Sequence, residues 1–205
     1  MDLKFRVAAR IARPVHEVFE AVADPAELSN YFTTGGAKGR LETGATVTWD
    51  FQDFPGAFPV DVFEVVPDER IVLKWAANEG EPPNLSDSGG KVREANYQTI
   101  VTMTFTPLDD DTRTLVEIRE EGWRETQGAL HASYGNCQGW SQMLDALKAW
   151  VEHGINLREV FTSRLGLGLR LLLPRRGAFA RVPPPALNHA GAGAGLGPDF
   201  LELRS

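Results

Sequence analysis

Apolar residues recur at every second position in runs between Thr46 and Glu121, then at every third or fourth position from Leu130 to Val151. This switch of period limits the folds open to the chain. A two-residue period gives an extended segment one face to bury, whereas a stripe sustained over about six turns describes one long helix. Val47, Trp49 and Phe51 alternate with Thr46, Thr48 and Asp50, and Ile71, Leu73 and Trp75 flank Val72 and Lys74. Tyr97, Val101, Met103 and Phe105 share one phase, as do Val116 and Ile118. The links at Pro67-Asp68-Glu69 and Asp109-Asp110-Asp111 are too short for crossovers, so these strands are expected to be antiparallel.

The flanks complete the pattern. Lys4 to Ala12 alternates as a strand around Phe5, Val7 and Ala9. Pro14 suits a helix start, and Val15, Val18, Phe19 and Val22 share one helical face. Asp24-Pro25-Ala26-Glu27 has the form of a capping box, opening a second short helix that ends near Tyr31-Phe32 before Gly35-Gly36. Leu130, Tyr134, Cys137, Trp140, Leu144, Leu147 and Val151 predict one helix from Thr126 to about Gly154, gripped by the sheet. The expected class is α+β with a helix-grip fold: a curved antiparallel sheet around a long C-terminal helix, in the order β-α-α-β(6)-α. Residues 78–94 are expected to form a polar loop. Residues 1–158 read as the domain and 159–205, rich in Gly, Pro and Ala, as a disordered tail.

Composition narrows the class of function. No charged segment followed by an apolar run opens the sequence, and no apolar stretch approaches the roughly 20 residues that cross a bilayer. The single Cys137 fits a reducing compartment, so a cytoplasmic protein with no membrane association is expected. Before Leu165 there are 16 Lys and Arg against 26 Asp and Glu, a surface that repels phosphate backbones and argues against a nucleic-acid partner.

Three segments carry a family resemblance. Val7 to Phe32, "VAARIARPVHEVFEAVADPAELSNYF", resembles the opening of the heat-shock-protein-ninety ATPase activators, the Aha-type branch of the START-like (SRPBCC) superfamily. Val60 to Trp75, "VDVFEVVPDERIVLKW", is similar to that family's central hairpin, and Gly139 to Gly154 to its last helix. These are core and turn residues, so no catalytic set carries over with them. The resemblance implies a cavity between sheet and last helix, suited to a lipid, a polyketide-like aromatic or another apolar molecule. In the eukaryotic activators the same fold binds a chaperone.

The expected cavity wall is Trp49, Trp75, Tyr97, Met103, Trp123, Tyr134 and Trp140, placed by strand alternation and by helical spacing. Phe51, Phe63 and Phe105 belong to the same aromatic set, whose alternative role is simply to fill the core. His131, Tyr134 and the Glu120-Glu121 pair would form an acid–base cluster only if the strand end met the helix start. His16 and His153 read as exposed, and four His with one Cys at wide spacing give no metal pattern. Asp109 to Asp111 reads as a turn and not a calcium loop. Gly35 to Gly39 lacks the spacing of a phosphate loop. Cys137 reads as a small hydrophobe. The leading reading is therefore a binding domain for a small apolar ligand, with no catalytic residue, metal or cofactor assigned. A chaperone-directed interaction and a cyclase- or hydrolase-type activity stay open beside it.

Overall fold

The computed structural model describes residues 2–52, 54–79 and 94–158. The expected tail, and most of the polar loop between Asn78 and Glu94, lie outside the described residues. The elements run β1 (Phe5–Ile11), α1 (Val15–Ala23), α2 (Pro25–Tyr31), β2 (Gly36–Lys38), β3 (Thr46–Phe51), β4 (Phe54–Val66), β5 (Arg70–Asn78), β6 (Glu94–Leu108), β7 (Arg113–Glu121) and α3 (Gln127–His153). The strands form one seven-stranded sheet in the order β1-β7-β6-β5-β4-β3-β2, with antiparallel pairing throughout. Six strands thus follow the two short helices, and the helix-grip architecture expected from the period switch is the one observed.

Local chemistry sets the boundaries. The Asp24 carboxylate accepts from the backbone amides of Ala26 (2.7 Å) and Glu27 (3.4 Å), and Pro25 occupies the first helical position. The reciprocal arm of the capping box is absent: Glu27 instead accepts from the Trp150 indole at 2.9 Å, tying α2 to the end of α3. Thr126 caps α3 through the Ala129 amide, and Gly154 ends it in the left-handed conformation at φ 66°. Asp109, Asp110 and Asp111 all have positive φ and form the β6–β7 turn, where Asp109 pairs with Arg113.

The core fills the space between the inner sheet face and the helices. Ile11, Val60, Ile71, Leu73, Val101, Val116 and Ile118 come from the strands, Val18, Phe19 and Val22 from α1, and Trp140, Met143, Leu144 and Leu147 from α3. Each such side chain contributes about 1.5–3 kcal/mol by burial. Two facing assignments need correction. Between Val62 and Glu64 the β4–β5 register shifts, and the extra residue, Phe63, turns outward to 60% exposure beneath the Lys74 ammonium. Tyr134 is 66% exposed and not on the gripping face. Six residues at about 100° each set it roughly 120° round the helix from Trp140, because successive steps of three drift off the buried line. Ser133 and Asn136 lie within about 40° of that line. Ser133 is buried and Asn136 half-buried.

Candidate functional site

The inner phase of β7 runs Thr114, Val116, Ile118 and then Glu120, all fully buried. A carboxylate in the position of a core residue must find donors or stay protonated. Here it finds them from three directions. Glu120 Oε1 accepts from Thr99 Oγ1 on β6 (2.7 Å), Trp75 Nε1 on β5 (3.0 Å) and Asn136 Nδ2 on α3 (3.0 Å). Oε2 accepts from Trp140 Nε1 (3.0 Å) and Asn136 Nδ2 (3.2 Å). A carboxylate offers about four lone-pair directions, so these donors saturate it. Burial pushes its pKa above the ordinary carboxylate value, while the four donor groups pull against that rise. None of these donors is a cation. The group holds β5, β6, β7 and α3 in one arrangement and, so placed, has no lone pair spare for a ligand proton.

The two indoles that bind Glu120 belong to an aromatic cluster. Trp75 stacks on Trp140 with centroids 5.3 Å apart, and Trp140 stacks on Phe32 at 5.6 Å. Trp49 meets Phe32, Trp75 and Trp140 edge-on at 5.5, 6.0 and 6.4 Å. The cluster continues outward through Phe58, which lies against Trp75 at 6.1 Å and stacks on Phe51 at 5.9 Å. Phe51, Phe58 and Trp75 are only partly buried, whereas Trp49 and Trp140 are 1% and 2% exposed. The Arg158 guanidinium lies 5.8 Å from the Phe51 ring and 6.0 Å from Phe32, whose carbonyl it binds at 3.0 Å. Beside it is a pocket of about 170 Å³ lined by Ser29, Asn30, Tyr31, Thr34, Gln52, Asn156 and Arg158, at the α2–β3 margin and not under α3.

Of the seven expected wall residues, Trp49, Trp75 and Trp140 come together in one aromatic cluster, the last two bound to Glu120, and Met103 is buried in the same core. Trp123 lies in a separate small cluster with Leu3, Ala77 and Ala129, against which Tyr97 packs. The Tyr97 hydroxyl accepts from the Arg124 amide at 3.3 Å while the Arg124 guanidinium covers its ring at 4.3 Å. The suggested His131–Tyr134–Glu120 cluster does not form. His131 is exposed and its side-chain partner is Gln127, Tyr134 is exposed, and Glu121 pairs with Arg119. Sequence reasoning passed over Thr99, Asn136, Phe32 and Phe58. One signal marked Asn136: it precedes Trp140 by one helical turn, and Glu120, which it binds, continues the apolar phase of β7.

Among the described residues no helix is long and apolar enough to cross a membrane, and no group of three or more His, Cys, Asp or Glu is placed to hold a metal. Comparison with solved structures finds the same architecture in several proteins. SSP2350 from Staphylococcus saprophyticus is 21% identical, with 76% of this chain and 96% of that one covered and a TM-score of 0.58. DynU16, described as a putative protein in the dynemicin biosynthetic locus, is 23% identical over 74% of this chain and 48% of its own, with a TM-score of 0.56. The Aha1 dimer from Colwellia psychrerythraea is 18% identical over 74% and 98%, with a TM-score of 0.55. At these identities the likeness is one of fold. No curated protein matches the chain. The profile described as Activator of Hsp90 ATPase homolog 1-like protein, however, matches residues 12–152, well over half the length. The chain therefore belongs to the activator of Hsp90 ATPase homolog 1-like family.

Proposed function

We propose that this domain binds a small apolar molecule, aromatic or lipid-like, between the inner sheet face and α3. One observation carries the reading. Aromatic rings run without interruption from the buried Trp49 and Trp140 to the half-buried Phe51, Phe58 and Trp75, so an apolar face reaches solvent at one edge of the core. Such a graded aromatic edge receives a flat or flexible hydrophobe while the Glu120 network keeps the frame fixed. The experiment is titration with an apolar dye such as ANS, followed by competition with oleate and with a flat aromatic hydrocarbon. Saturable, competed binding to native protein is expected, with Phe58→Ala weakening it about tenfold. Absence of saturable binding in the native protein overturns the proposal. The family description favours a second reading, stimulation of an Hsp90-type ATPase. That reading takes over if the dye does not bind and the protein raises a chaperone's ATP turnover.

A further inference from the structure

The three tryptophans of the Glu120 cluster are chemically unequal. Trp75 and Trp140 each donate their indole N–H to the carboxylate at 3.0 Å. Trp49, 1% exposed and in edge contact with both, has a buried indole nitrogen with no hydrogen-bond partner. A buried donor without an acceptor is unfavourable, and a phenylalanine would fill the same aromatic place without that cost. Trp49 is paired in register with Phe58, the half-buried ring at the solvent edge. Trp49 is also joined to that edge through Trp75, which it meets at 6.0 Å and which lies 6.1 Å from Phe58.

We propose that Trp49 Nε1–H is the polar contact of the ligand site and that the ligand class is a flat aromatic carrying a carbonyl or an equivalent hydrogen-bond acceptor. This rests on the binding reading above and deepens it. The ligand's rings lie against Phe51 and Phe58, and its acceptor satisfies the Trp49 donor, which, like the Trp123 indole in the separate small cluster, has no partner within the fold. Glu120, saturated by its own donors, sets the orientation of the neighbouring indoles and does not touch the ligand. Discrimination follows from the same asymmetry: a site built around an unpaired donor prefers a ligand with an acceptor over its hydrocarbon analogue.

The test compares 9-fluorenone with fluorene, which share a ring system and differ in the carbonyl. Native protein is expected to bind fluorenone about tenfold more tightly than fluorene, and Trp49→Phe to bring the ratio of the two affinities to about one. Should that variant not fold, the ¹⁵N-labelled native protein gives the same answer. One indole N–H resonance, assigned by a tryptophan-selective label, should shift downfield with fluorenone and not with fluorene. Equal affinities for the two probes with no such shift overturn this inference alone. Failure to bind either probe overturns the binding reading together with it.

Discussion

The two halves of α3 hold the sheet by different physics. From Trp140 to Leu147 the buried positions are Trp140, Met143, Leu144, Ala146 and Leu147, an apolar seam that works by area and shape. Toward the N-terminus the buried side is Ala129 and Ser133, followed by Asn136, whose amide binds the Glu120 carboxylate. Apolar contacts are non-directional and tolerate substitutions that conserve volume. A buried carboxylate needs each donor in place, so the polar half is specific in direction and sensitive to single atoms. Trp140 sits where the halves meet, its ring in the seam and its N–H on Glu120.

That junction gives the largest expected effect. Trp140→Ala should destabilise by about 3–5 kcal/mol in urea denaturation, since a large core side chain leaves a void. Trp140→Phe separates the two contributions: it keeps most of the ring and removes the donor, at a cost of about 1–3 kcal/mol. If the two variants lose the same stability, volume contributes nothing at this position and the contrast between the halves collapses.

How much of this was legible in the sequence follows the same division. Period and turn chemistry placed the strands, the antiparallel order, the Asp24 and Thr126 caps and the Gly154 stop, because these depend on local rules. Trp49, Trp75 and Trp140 were legible as inner-face residues for the same reason. The polar half was not. A search for apolar stripes selects Tyr134 and Cys137, and it skips Ser133 and Asn136, although those two lie closer to the Trp140 line. Phe63 was misplaced by a bulge, which no alternation pattern announces. What Glu120 does depends on residues from three other elements, 16 to 45 positions away, and only the folded chain brings them together.

A test of the polar half comes next in size. Glu120→Gln should cost about 2–3 kcal/mol at neutral pH, because an amide cannot satisfy donors arriving at both of its ends. The pH dependence has a defined sign. Burial raises the folded-state pKa above its ordinary value, so between those two values the native state holds more protons than the unfolded one. Wild-type stability relative to Glu120→Gln should therefore fall as pH rises from about 4.5 through the folded-state pKa, then level off. Denaturation curves at half-unit pH intervals check it. A gap that widens over that range would show the four donor groups outweighing burial.

The smallest effect lies on the same helix, two residues apart. Asn136→Ala removes one donor from Glu120 and should cost about 1 kcal/mol. Tyr134→Ala removes a far larger side chain, yet should change stability by less than about 0.5 kcal/mol. Size alone predicts the reverse order. The structure decides otherwise, because Tyr134 is 66% exposed and has little burial to lose, while Asn136 bridges both oxygens of a buried carboxylate. Thermal melts of the two variants side by side test this directly. If Tyr134→Ala is the more damaging change, the buried line of α3 runs through Tyr134 and Cys137, and the polar half described for this helix is misplaced.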